Sequence, residues 1–190
     1  MNMDFPRLMS AALEEARKGF AKGEVPVGAV VADSNGEIVA RAHNQPISLR
    51  DPTAHAEILA LRKAGACFRN YRMEGGVLVV TIEPCLMCMG AALHARISRL
   101  VFGAFDPKWG AAGSLYDLTK DTRLNHGIEV TSGIMEGQCI RLMQEFFQSR
   151  RGKAKKGRRG TEVVVTGSTR NRLVPLKPGH VGSNPTLSAR

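Results

Sequence analysis

The sequence predicts an α/β protein built on a mixed five-stranded sheet with helices covering its faces. Three observations carry this reading. Apolar residues recur at helical spacing in segments that alternate with short strand-like runs. One such run, Val77-Leu-Val-Val-Thr-Ile82, is apolar almost throughout, as in a strand buried on both faces. A hairpin signal also stands early in the chain, where Asp33-Ser-Asn-Gly36 separates Val27–Ala32 from Glu37–Ala42.

The elements follow in order. From Asp4 to about Lys22, Leu8, Met9, Ala12, Leu13, Ala16 and Phe20 mark one helix face, with Asp4 as cap and Gly23 beyond the end. After the hairpin comes a polar loop from Asn44 to Arg50. Asp51-Pro52 then predicts a helix start, with Ile58–Lys63 as its body. Gly75-Gly76 precedes the apolar strand, and Pro84 opens a helix from Cys85 to about Arg96. Arg99–Phe102 predicts a fourth strand, followed by a Gly- and Ala-rich loop from Gly103 to Ser114. Gly127–Thr131 predicts a fifth strand. Glu136 to Arg150 predicts a last helix with Ile140, Met143, Phe146 and Phe147 at its apolar positions.

Charge divides the chain into two parts. Residues 1–150 carry 17 Lys and Arg against 16 Asp and Glu, whereas residues 151–190 carry 10 against one, Glu162. The net charge of +10 therefore belongs almost wholly to the tail. The expected organisation is one domain over residues 1–150, followed by a basic, disordered tail over 151–190. Within that tail, Gly182-Ser-Asn-Pro185 reads as a translated tRNA T-arm and Leu187-Ser-Ala189 as its acceptor end. The expectation is that residues 161–190 arise by read-through into a neighbouring serine-type tRNA gene. No apolar run approaches the roughly 20 residues of a membrane span. The first residues lack a basic stretch followed by an apolar one, so the expected location is cytoplasmic.

The chemistry concentrates in His55-Ala-Glu57 and Pro84-Cys-Leu-Met-Cys88. Cysteines at i and i+3 of a helix share one face, and a helix N-terminus favours the thiolates that a metal needs. One imidazole and two thiolates give zinc three protein ligands and leave one position open, the pattern of a catalytic centre. Water in that position becomes acidic enough to ionise near neutral pH. Glu57 is the residue to move its proton. Since i and i+2 on a helix diverge by about 200°, His55 must sit at the irregular helix start, with Glu57 beside the water and not on the metal. The competing reading is a closed structural site with Cys67, His94, His126 or Cys139 as fourth ligand. Cys67 and Cys139 lie in apolar stretches and read as small buried hydrophobes. His94 reads as helix surface and His126 as part of a turn.

These two motifs match the zinc-dependent nucleobase deaminase pattern. The chain further resembles the bacterial tRNA-specific adenosine deaminases, within the cytidine/deoxycytidylate deaminase superfamily. The resemblance rests on Glu24-Val-Pro-Val-Gly-Ala-Val30, Asn44-Gln-Pro46, Asp51–Ile58, Glu83–Cys88, Arg99–Gly103, Gly110-Ala-Ala-Gly-Ser-Leu115 and Phe146-Phe147. It implies a three-layer α/β/α cytidine-deaminase-like fold, one Zn2+ per subunit, and a homodimer that binds the anticodon stem-loop of tRNA. The implied reaction is hydrolytic deamination of the wobble adenosine to inosine, an activated water attacking C6 while Glu57 protonates N1 and then the departing amine. Asn44 matches the position whose amide holds the base. Glu24, Val25, Ala56, Glu83 and Pro84 match wall or backbone positions of the pocket, and Asp106, Phe146, Phe147 and Arg150 match positions near the flipped nucleotide and its neighbours. Gln45 stands where relatives often carry Arg, and Pro107 and Trp109 alter the loop beside Asp106. Two other readings stay open, a deaminase of free guanine or cytosine and a noncatalytic zinc-stabilised RNA-binding subunit.

Overall fold

The computed structural model describes residues 3–158. The expected read-through segment at 161–190 lies outside the described residues. Helix α1 (Phe5–Ala21) begins where expected, because the Asp4 carboxylate accepts the Arg7 N–H at 2.9 Å and Pro6 fits the first turn. Strands β1 (Gly28–Ala32) and β2 (Ile38–His43) form the hairpin, closed by Asp33, whose carboxylate accepts the N–H groups of Asn35 and Glu37. Strand β3 (Val77–Ile82) is buried at every position, as its uniform apolar run requires. Strands β4 (Arg99–Ala104) and β5 (Glu129–Thr131) complete the sheet in the order β2-β1-β3-β4-β5. The β1 strand is antiparallel to β2 and β3, while β3, β4 and β5 are parallel, so the sheet is mixed as expected.

Helix α1 packs on β1 and β2, and so does α3 (Ala56–Phe68). Because β1 is buried at all five positions, both of its faces are covered. Helix α5 (Glu136–Arg158) joins α1 against β3 and β4, and α4 (Leu86–His94) joins α3. Leu8, Met9 and Leu13 are fully or almost fully buried beneath this layer, each contributing about 1.5–3 kcal/mol of apolar burial. Gly28 makes the α1–β1 contact possible: a Cβ there would collide with the Ala12 carbonyl and lie 2.5 Å from the Ala16 nitrogen.

Four details depart from the expectation. The polar loop after β2 holds a one-turn helix, α2 (Pro46–Leu49). Helix α3 starts at Ala56 and not at Asp51, because the Asp51 carboxylate closes a local turn onto the N–H and hydroxyl of Thr53. Helix α5 continues to Arg158 instead of ending at Arg150, which places residues 151–158 of the expected tail in a helix. Cys67 is exposed, its thiol directed to the Val39 carbonyl at 3.3 Å, whereas Cys139 is buried as expected.

Candidate active site

Strands β2, β3 and β4 all run in the same direction, so their C-terminal ends lie along one edge of the sheet. Asn44 follows β2, the segment Glu83–Cys88 follows β3, and Asp106 follows β4. Residues Val25 and Val27 approach the same edge just before β1 begins. The topology thus gathers, at one end, residues far apart in the sequence, the usual location of sites in open α/β sheets.

Two helix starts supply the metal donors. His55 occupies the N-cap of α3 in extended backbone (φ −72°, ψ 153°), and Cys85 occupies the N-cap of α4 (φ −74°, ψ 174°). His55 Nδ1 lies 3.7 Å from Cys85 Sγ and 3.6 Å from Cys88 Sγ, and the two sulfurs are 3.6 Å apart. A tetrahedral zinc with Zn–S of about 2.3 Å and Zn–N of about 2.0–2.1 Å has donor–donor edges of roughly 3.5–3.8 Å. The three donors therefore form one face of a zinc tetrahedron, and they are the one such group among the described residues. Cys67, His94, His126 and Cys139 take no part in it. His94 is exposed, and His126 is engaged with the Ile97 carbonyl at 2.7 Å.

The hydrogen bond between the two thiols, together with His55, pulls Cys85 down to about 4 against the opposing effect of burial. That same hydrogen bond and burial push Cys88 up. The pair thus holds one thiolate readily, and a cation beside it supplies the field for the second.

Glu57 lies in the first turn of α3, buried, with Oε2 free of any hydrogen-bond partner. Burial raises its pKa, opposed by the backbone and by His55. An unpaired buried carboxylate oxygen is costly unless a ligand or water serves it. Its place beside three metal donors, yet outside their triangle, fits a proton carrier next to a bound ion. The donor set and this orphaned oxygen together fit zinc.

Asn44 is buried, and its Oδ1 accepts the Ala56 N–H at 2.8 Å. With the oxygen spent, the side chain has its amide NH2 to offer the cleft it lines. Behind it, His43 Nδ1 lies 3.1 Å from Glu15 Oε2, and Nε2 lies 3.3 Å from Lys22 Nζ. This buried network leaves no mark at the level of sequence, since Glu15 sits on an otherwise ordinary helix face.

Glu24 and Glu83 act as internal anchors. The Glu24 carboxylate accepts the N–H groups of Ile47 and Ser48 and the Ser48 hydroxyl, which fixes α2. The Glu83 carboxylate accepts the N–H groups of Asp106, Ala112 and Ser114 and the Ser114 hydroxyl. The Pro84 carbonyl takes the Ala111 N–H at 2.8 Å. Gly110 is required at this crossing, because a Cβ there would strike the Glu83 carboxylate and lie 2.6 Å from the Asp106 carbonyl.

The cleft over these groups encloses about 630 Å³. It brings together Val25, Asn44, His55, Glu57, Glu83, Cys85 and Asp106 from the sequence-level set. Glu24, Ala56, Pro84, Cys88, Phe146, Phe147 and Arg150 do not line it. Ala56 contributes its backbone N–H, as above. Phe146 is buried edge-on against Phe20, whereas Phe147 is 47% exposed. The Arg150 guanidinium lies over the Phe146 ring and donates to the Gly23 carbonyl. Val27, Ile82, Met87 and Met143 also line the cleft, and nothing in the sequence separates such apolar wall residues from core. Trp109 lines it too, and its composition in an otherwise small-residue loop was a signal.

Comparison with known proteins agrees with this geometry. Residues 4–104 match the cytidine and deoxycytidylate deaminase zinc-binding region. The tRNA-specific adenosine deaminase of Haemophilus influenzae is 49% identical over 149 residues, covering 78% of this chain and 86% of the relative. The tRNA-specific adenosine deaminase of Bacillus subtilis is 46% identical over 151 residues, covering 80% and 93%. A solved structure from a study of A-to-I editing by tRNA:A34 deaminases superposes with a TM-score of 0.69 at 40% identity, covering 72% of this chain and 98% of that one. The chain belongs to the zinc-dependent cytidine and deoxycytidylate deaminase family, on its tRNA-specific adenosine deaminase branch.

Proposed function

We propose that this protein deaminates the wobble adenosine of a tRNA anticodon to inosine, consuming water and releasing ammonia. The observation that carries the reading is the orphaned carboxylate of Glu57 beside the His55, Cys85 and Cys88 triangle. The likeness to tRNA-specific adenosine deaminases supports the choice of substrate.

His55, Cys85 and Cys88 would hold the zinc. When bound there, zinc supplies a water acidic enough to serve as nucleophile at neutral pH. Glu57 would take one proton from the attacking water and deliver it to N1 of adenine, then take the remaining proton from the new C6 hydroxyl and pass it to the amino group, which leaves as ammonia. Its raised pKa suits a group that must both take and give protons. The Asn44 amide donates to the edge of the base, and the apolar wall of Val25, Val27 and Ile82 excludes bulk water from the reacting face.

The binding partner in this reading is the anticodon stem-loop, engaged by a homodimer. Exposed Ile47, Leu49 and Leu86, on segments at the site end of the sheet, provide apolar surface that supports self-association. The free cysteines support a cytoplasmic location.

The test is product analysis with the zinc-loaded full chain. It would be offered an anticodon stem-loop with adenosine at the wobble position and, separately, free adenosine, cytidine and guanine. Inosine in the stem-loop, with the free compounds unchanged, is the expected result. Turnover of guanine or cytidine, with the stem-loop intact, would overturn the reading.

A further inference from the structure

Trp109 is the one tryptophan of the chain and is 69% exposed, yet its backbone is firmly held. The Asp106 carboxylate accepts the N–H of Lys108 at 2.9 Å and that of Trp109 at 3.3 Å. Asp106 is itself fixed by Glu83, and Gly110 N–H returns to the Asp106 carbonyl at 2.8 Å. A rigid loop thus presents a large aromatic face to solvent. Trp109 also lines the cleft that His55 and Glu57 line. That cleft is larger than one nucleobase fills, so a base seated over Glu57 leaves the rim for its neighbour in the strand.

The geometry points to Trp109 as the stacking platform for the nucleobase that flanks the reacting one, which makes it a specificity-determining residue for RNA over free nucleosides. The inference rests on the proposed deamination of a base within an RNA loop. Stacking suits this position because every base offers a π-face, and a pre-positioned indole loses little freedom on contact. Neighbouring Lys108 is exposed and adds a cation for the backbone phosphate. Continuity with the catalytic cleft favours a nucleobase over a protein partner, since whatever covers the indole sits where the substrate strand must pass.

With no other tryptophan present, fluorescence excited at the red edge, beyond the absorption of Tyr71 and Tyr116, reports on this side chain alone. The zinc-loaded full chain would be titrated with a stem-loop carrying inosine at the wobble position, with the same stem-loop abasic at both flanking positions, and with free adenosine. The inosine stem-loop should quench the emission strongly, and the abasic stem-loop and adenosine should quench it weakly. In kinetics on the adenosine stem-loop, Trp109→Ala should raise KM by about 5- to 150-fold with a smaller effect on kcat, and Trp109→Phe should recover most of the loss.

Equal quenching by the abasic stem-loop, or an unchanged KM in Trp109→Ala, would overturn the inference. So would an emission that depends on protein concentration without RNA, which would assign the indole to a contact between copies. Base-dependent quenching without any inosine formation would separate the two claims, leaving stacking intact and removing the proposed reaction.

Discussion

The side-chain oxygen of Asn44 accepts the backbone N–H of Ala56 at 2.8 Å, and this bond ties the end of β2 to the turn that carries His55 and Glu57. One residue therefore serves two ends: its oxygen orders the site and its nitrogen faces the cleft.

The two roles separate by substitution. Asn44→Asp keeps an oxygen for Ala56 and loses the donor, so unfolding in urea should change by less than about 1 kcal/mol while KM rises at least several-fold. Asn44→Ala loses both and leaves the buried Ala56 N–H unpaired, at a cost of about 1–3 kcal/mol. Equal destabilisation by both variants would contradict the division of labour.

Glu24 gives a pH signature. Burial alone would raise its pKa, but the Ser48 hydroxyl and the Ser48 and Ile47 N–H groups outweigh that and hold it below the ordinary value of 4.5. The unfolded chain then takes up this proton first as the pH falls. Stability from Glu24 is present above about pH 4.5 and disappears as the pH drops through the lower folded value. Glu24→Gln should be less stable than wild type at pH 7, and the two urea midpoints should converge as the pH falls below the ordinary carboxylate value of 4.5. A gap that stays constant across the series would show that the carboxylate charge is not what anchors α2.

Much of this was legible in the sequence for identifiable reasons. The uniform apolar run of β3 has one good home, the middle of a covered sheet. The Cys85/Cys88 spacing and the impossibility of placing His55 and Glu57 on one helix face led to the geometry observed at the α3 start. What stayed hidden depended on tertiary partners. Asp51-Pro52 carries a helix-start pattern, yet its carboxylate is consumed by Thr53 in a turn. The α2 turn exists because Glu24, over twenty residues upstream, supplies its acceptor. Met87 and Met143 look like core in any periodicity, and only the fold places them on a cleft wall.

The adjacent rings of α5 should behave differently. Phe146 is 5% exposed, packed edge-on against Phe20 and Phe147 at 5.5 Å, with Arg150 above it. Phe146→Ala should cost about 3–5 kcal/mol in chemical denaturation. Phe147→Ala should cost under about 1 kcal/mol and act, if at all, on RNA affinity. The reverse ranking would mean that the packing of α5 has been misassigned.

Gly110→Ala tests the loop that Glu83 holds. The added methyl has no room between the Glu83 carboxylate and the Asp106 carbonyl, so the loop must shift at a cost of about 1–3 kcal/mol. Trp109 emission should change in the free protein, and KM for the stem-loop should rise while zinc content stays at one per chain. Unaltered emission and KM would show that the anchored loop does not position the cleft rim.

The most direct test of the central claim compares Glu57→Gln with wild type for zinc content, stem-loop affinity and inosine formation. The substitution keeps the size of the side chain and removes the proton carrier. One zinc per chain and intact RNA binding are expected in both proteins, with inosine formation by the variant reduced at least about 100-fold. A Glu57→Gln protein that still forms inosine at the wild-type rate would contradict it.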